Sequence, residues 1–160
     1  MIFLTVGTHE QQFNRLLKAV DELKGKGVIQ EEVIMQTGYS DYQPRYCQAQ
    51  AFIPYDDLVA LIKKARLTIT HGGPSSFLLP LSFKKQVLVV PRQKEYGEHI
   101  NNHQVEFIEY LNQHNLVIPY LKDISQLEHY LNQATPVAVY PFNNQQFNQA
   151  FKKEVDQLFD

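Results

Sequence analysis

The chain has 160 residues, is 44% hydrophobic and 20% charged, and carries a formal net charge of -2, which suits one soluble domain with a full core. No cluster of Lys and Arg offers a footprint for nucleic acid, and no apolar run approaches the length of a membrane span, so any membrane role has to come through a partner or an interfacial surface. The single cysteine, Cys47, excludes an internal disulfide and fits a reducing compartment.

Residues 2–6 are a continuous apolar run that predicts a buried parallel strand, too short for a signal peptide. A polar loop, Gly7-Thr8-His9-Glu10, follows. Phe13, Leu16, Leu17, Val20 and Leu23 then fall at helical spacing within a helix expected over 12–24, closed by Gly25 and Gly27. A short strand at 33–35 runs into the polar loop 36–40, and a second at 49–53 follows an irregular stretch of Tyr, Gln and Pro. The next helix, 55–64, points Leu58, Leu61 and Ile62 inward, with Asp56 and Asp57 favouring its start.

A strand at 67–70 leads directly into His71-Gly72-Gly73-Pro74-Ser75-Ser76 and an apolar helix over 75–83. The glycines permit a sharp turn and close approach of a ligand, and Pro74 suits a first helical position. A strand, a glycine turn and a helix start together form a ready site for phosphate. A strand at 87–90, a charged loop at 91–98, a helix at 99–113, a strand at 116–118 and a helix capped by Asp123 or Ser125 and ending near 133 complete the alternation. Beyond a connector at 134–142, residues 143–159 carry Phe147, Phe151, Val155 and Leu158 at helical spacing and predict a final helix.

Strands alternating with helices predict an α/β fold: a Rossmann-like parallel sheet with helices on both faces, formed by one domain over 1–160. In such sheets ligands bind beyond the carboxyl ends of the strands. The loops at 7–10, 36–40, 71–76 and 91–98 should therefore gather along one edge. They bring glycines, hydroxyls, amides and histidines with few carboxylates, which favours an anionic, hydrogen-bonding ligand such as a nucleotide sugar. Each residue also has a plain structural reading. Gly72 and Gly73 serve any tight turn, His71 any packed site, and Glu10, Glu95 and Glu98 are ordinary solvated carboxylates. His99 and His103 lie four apart on one expected helix, yet no HExxH pattern or third ligand accompanies them, so no metal is expected. Nothing around Cys47 suggests a lowered thiol pKa. The absence of GxSxG, Walker and GxGxxG patterns argues against hydrolase, kinase-type NTPase and dinucleotide dehydrogenase activities.

The stretches 5–11, 34–40, 69–77 and 89–107, in this order, resemble the C-terminal, donor-binding domain of family 28 glycosyltransferases. The likeness is greatest to the soluble subunits of two-component bacterial exopolysaccharide and capsule transferases and of the dolichol-linked N-acetylglucosaminyltransferase. The resemblance implies one half of a GT-B enzyme. It maps the donor diphosphate to Gly7, Thr8, His71, Gly72, Gly73, Pro74, Ser75 and Ser76, and the uracil to Phe52 and Ile53. The donor sugar and its surroundings map to Gln36, Thr37, Gly38, Gln93, Glu95, His99, Asn102, His103 and Gln104. Two positions depart from the family pattern. Leu79, or Pro80 beside it, stands where a glutamate often bonds the ribose, and Pro80 should kink its helix; Asn101 stands where aspartate is common.

The resemblance also implies an inverting hexosyl transfer from a UDP-sugar, galactose by preference and β-1,4, to a lipid-diphosphate-linked sugar, without cofactor or metal. The base and acceptor site are expected in a membrane-anchored partner chain, with His9 or His71 the candidates in this one. The chain would be cytoplasmic and held at the inner face of the membrane through that partner, with 143–159 a docking element or a helix packed on its own sheet. A non-catalytic nucleotide-sugar-binding or enhancer subunit is the alternative from a different functional class.

Overall fold

The chain, described by a computed structural model over residues 1–114 and 116–133, turns its apolar runs into five strands: β1 (Ile2–Thr5), β2 (Val33–Gln36), β3 (Gln48–Gln50), β4 (Leu67–Thr70) and β5 (Gln86–Val89). All pair in parallel, in the spatial order β3-β2-β1-β4-β5. β1 and β4 are buried along their whole length, as a central parallel strand covered on both faces must be. β3 is the exposed edge, and its residues are polar or small.

The helices are α1 (Asn14–Gly25), α2 (Tyr55–Lys64), α3 (Pro74–Ser82), α4 (His103–Gln113) and α5 (Leu127–Asn132). Strand side chains alternate between the two faces. Ile2, Leu4 and Val6 meet Phe13, Leu16, Leu17, Val20 and Leu23 of α1 and the Leu127 start of α5. Phe3 faces the other way, against Ile62 of α2 and the partly buried Leu79 of α3. Phe77 and Leu81 of α3 pack with Val87, Val89 and Ile108 of α4. Each such side chain, fully buried, contributes roughly 1.5–3 kcal/mol. Charge placement supports α2, which has Asp56 and Asp57 in its first turn and Lys63 and Lys64 in its last.

Several boundaries differ from the sequence expectation for identifiable reasons. α4 begins at His103, not at 99. Gly97 adopts a left-handed conformation (φ 66°), Asn102 Oδ1 accepts the Lys94 N–H, and Asn101 Oδ1 accepts the His103 N–H. These amide side chains take backbone groups that a longer helix would have used. Residues 116–118 form no strand. Asn112 donates to the Ile118 carbonyl and accepts its N–H, and this segment pairs with β5 through a parallel bridge between Val89 and Tyr120. β3 stops at Gln50, and Ile53 instead donates its N–H to the Gln36 side chain at 3.0 Å. Pro80 is retained inside α3, in the helix's last turn. The expected connector at 134–142 and helix at 143–159 lie outside the described residues.

Candidate functional site

The strand order decides where a site can form. From β1 the chain crosses to β2 and β3 on one side, then returns past β1 to β4 and β5 on the other. The loops leaving β1 and β4 therefore diverge, and the crevice between them is the position where open parallel sheets bind ligands. A cavity of about 440 Å³ lies there. Gly7, Thr8 and His9 line it from the β1 loop, His71, Ser75 and Ser76 from the β4 loop and α3, and Gln36 from the end of β2. Thr5, Tyr55, Leu58, Ile62 and Leu79 complete the wall. Among the described residues no carboxylate lines it.

The two loops fit each other because their glycines have no side chains. A Cβ on Gly7, whose φ is +73°, would stand 2.5 Å from His71 Nε2; one on Gly73 would stand 2.3 Å from His71 Cε1. His71 is thus threaded between two backbone segments. Its Nδ1 accepts the Gly73 N–H at 3.1 Å, so its proton sits on Nε2, which donates to Ser76 Oγ at 2.9 Å. The Ser76 hydroxyl proton is then free to turn toward the cavity. Burial, and next the Arg92 charge, push the His71 pKa down to about 4, which keeps the ring neutral. With both ring nitrogens engaged, His71 positions the loop and is not arranged as an external base. His9 keeps its Nε2 for a ligand, because its Nδ1 accepts the Gln11 N–H.

The glycine turn is more fully committed than its sequence suggests. The Gly72 N–H goes to Gln104 Oε1, the Gly73 N–H to His71 and the Ser76 N–H to the Gly73 carbonyl, while Pro74 has none. Ser75 N–H has no acceptor among the described residues, and Ser75 is exposed at the mouth of the cavity. The anion-binding capacity of this helix start therefore rests on the Ser75 N–H, the two serine hydroxyls and the helix dipole.

Other residues expected at the site also hold its frame. Gln36 is buried, donating to Thr5 Oγ1 and accepting from Ile53, so it ties the ends of β1 and β2 to the segment after β3 while its edge still meets the cavity. Thr37 is buried, and Gly38 (φ +55°) packs against the Gly7 carbonyl, which a Cβ would approach to 2.8 Å. Gln93 is buried with its amide on the Lys122 carbonyl. Gln104 is buried and bridges the Gly72 and Arg92 N–H groups. Glu95 is exposed, and Asn102 holds Lys94. Phe52 is 43% exposed and meets Tyr39 edge-on at 5.1 Å, outside the cavity wall. His99 and His103 also lie outside that wall, in a row with His9. Among the described residues no group of His, Cys, Asp and Glu is arranged to hold a metal ion.

Sequence reading missed the central strut. Among the described residues Arg92 is the largest fully buried side chain. Its guanidinium donates to the carbonyls of Val6, Gln11, Gln12 and Glu98 and lies over the Phe13 ring at 4.8 Å. Burial lowers its pKa to about 10, so it stays charged at neutral pH. Glu98, read as a solvated carboxylate, has no exposure; it takes a two-pronged bond from Arg15 and the Gln93 N–H. A guanidinium among carbonyls, with a carboxylate beside it, binds the β1 loop to the β5 loop. The one signal in the sequence was an arginine directly after the buried strand and Pro91.

A parallel sheet opening at its switch point onto a glycine turn and a helix start defines a Rossmann-like α/β domain. The sequence matches the glycosyltransferase family 28 C-terminal domain over residues 1–159, and the chain belongs to that family. Among curated proteins none matches it. Its fold is similar to that in the crystal structure of the glycosyltransferase SnogD from Streptomyces nogalater, with a TM-score of 0.53 and 18% identity. That similarity covers 83% of this chain and 35% of the SnogD chain, so this chain spans about a third of the length of that structure. No helix among the described residues is long and apolar enough to cross a membrane.

Proposed function

We propose that this chain is the donor-binding half of a two-chain glycosyltransferase, and that the cavity between the β1 and β4 loops takes the diphosphate and sugar of a UDP-sugar. The observation that carries this reading is the wall of that cavity. Ser75 and Ser76 at a helix start face Gly7, Thr8 and His9, and among the described residues no carboxylate lines the cavity to repel an anion. Departing UDP would be stabilised by the helix dipole and these donors, without a metal. Among the described residues no carboxylate base lines the cavity. A second chain, anchored in the membrane, would supply the acceptor site and the base for an inverting transfer. The acceptor would be a lipid-diphosphate-linked sugar of exopolysaccharide or capsule synthesis, the transferred sugar a hexose such as galactose in β-1,4 linkage, and the chain would sit at the inner membrane face through its partner.

The test is UDP release on membranes that carry the acceptor half, with and without this chain. Gly73→Asp, which drives a carboxylate into His71 and the phosphate position, should abolish release; unchanged turnover would sink the reading. A second reading, a subunit that binds nucleotide sugar without itself catalysing, draws on Leu79. An aliphatic side chain lines the wall where the family often places a ribose-binding glutamate. UDP binding with no dependence of transfer on Gly73 would favour it.

A further inference from the structure

We propose that His9, His99 and His103 form a proton-linked anion subsite beside the cavity, taking a carboxylate or phosphate group carried by the donor sugar or by the acceptor. The inference rests on the nucleotide-sugar reading and extends it to the charge of the substrate. The three rings come from different segments. His9 is in the β1 loop, His99 follows the buried Glu98, and His103 opens α4. They form a continuous row: His9 and His99 have centroids 4.8 Å apart, tilted by 44°, and His99 and His103 4.4 Å apart, nearly edge-on at 67°. His9 lines the cavity, so the row leads outward from it.

The hydrogen bonds assign the protons. His9 Nδ1 accepts the Gln11 N–H at 3.2 Å, which leaves a donor N–H at Nε2. His103 Nδ1 meets Asn101 Oδ1 at 2.5 Å; that oxygen also accepts the His103 backbone N–H, so Nδ1 carries the proton and Nε2 keeps a free lone pair. A proton added at His103 Nε2 makes it a second outward donor, and an imidazolium. His99 stands between them with its Nδ1 toward the Asn101 N–H.

The groups that shift His99 are cationic or neutral. Burial first, then His103, His9 and Arg92, hold the His99 pKa below its ordinary value, and His71 lies beyond them at the cavity floor. Of the nearby carboxylates, Glu98 is committed to Arg15 and the Gln93 N–H; Glu10 and Glu106 are exposed and accept no hydrogen bond from the row. His103, His9 and Arg92 so placed oppose protonation of His99, and an anion bound against the row offsets that opposition. The outward N–H at His9 Nε2, joined by His103 Nε2 when that ring takes a proton, is the donor pair that an anion accepts from. His103 is exposed, so it reaches a group extending out of the cavity.

The two sources of such a group are separable by titration calorimetry on the wild-type chain and on His103→Gln. UDP-glucuronate and UDP-glucose differ by one carboxylate and carry no phosphate that titrates in the range used. The wild type should bind UDP-glucuronate about tenfold more tightly at about pH 6 than at about pH 8, with no such gain for UDP-glucose and none in the variant. If the pH-dependent, His103-dependent gain appears instead for farnesyl diphosphate added to UDP-saturated protein, the subsite stands and the acceptor diphosphate is its ligand. No His103-dependent gain with either ligand overturns the proposal. Should UDP fail to bind at any pH, the nucleotide-sugar reading fails separately, and inorganic pyrophosphate decides. His103-dependent binding at about pH 6 sustains the subsite, and its absence overturns it.

Discussion

Gln104 holds the glycine turn to the β5 loop through Gly72: its Oε1 accepts the Gly72 N–H at 2.9 Å and the Arg92 N–H at 3.1 Å, and a Cβ on Gly72 would lie 2.8 Å from its own Cβ. One buried amide oxygen thus fixes the distance between two loops that frame the cavity. Gln104→Ala strands two buried N–H groups, at about 1–3 kcal/mol for such unsatisfied donors. Urea denaturation should show that loss, and UDP affinity should fall with it, although Gln104 itself is not on the cavity wall.

The Arg92 strut predicts a larger effect. Its guanidinium satisfies four carbonyls from both sides of the switch point, and no ammonium can span that set. Arg92→Lys should cost about 3–5 kcal/mol, the range for breaking a buried charged network. Thermal unfolding followed by circular dichroism checks this; a change within experimental error would mean the strut is dispensable.

Two pH dependences follow from burial and bonding, and both act on the acid side. His71 has a folded pKa of about 4 against an ordinary 6.5, so the folded state resists its protonation. The stability contributed by its neutral form is complete above 6.5 and is lost as pH falls toward 4. His71→Gln should flatten that limb of the stability-pH curve.

Asp21 acts lower. Burial raises its pKa, but the backbone N–H groups of Arg45 and Tyr46, the Tyr42 hydroxyl and Cys47 outweigh it, and the net shift is downward from 3.8. The stability it gives is present above 3.8 and disappears as pH drops through the depressed folded value. Asp21→Asn should remove that dependence and free the 42–47 segment, detectable as faster amide exchange there.

Leu79 offers a gain-of-function test. It lines the cavity and is only partly buried. If the ribose of a nucleotide lies against α3, Leu79→Glu supplies the missing acceptor, and UDP affinity should rise about tenfold, the order of one charge-assisted hydrogen bond. An unchanged or weaker affinity places the ribose elsewhere.

The sequence made the frame legible because the frame depends on local pattern. The apolar run at 2–6 and the helical spacing from Phe13 to Leu23 read directly as β1 and α1, and the glycine turn with Pro74 read as a strand-to-helix junction, which it is. What escaped depends on partners far along the chain. Arg92 reaches Gln11 across 81 positions and Arg15 reaches Glu98 across 83, so charges in a polar loop looked solvated when they are the core of the loop cluster. Gln104 maps by resemblance to the donor sugar and its surroundings, and the role the structure adds is that its amide oxygen holds two backbone donors. The start of α4 was missed because Asn101 and Asn102 bond to backbone locally and delay the helix. His9 beside His99 could not be foreseen, since only the fold brings their loops together.

The central claim, that the cavity between the β1 and β4 loops is the UDP-sugar diphosphate site, is tested most directly by titrating UDP into the isotope-labelled chain and following backbone amide resonances. The account predicts saturable shifts concentrated at Gly7, Thr8, His9, Ser75 and Ser76, lost in Gly73→Asp. Saturable shifts confined to other loops, or none at these five residues, would contradict it.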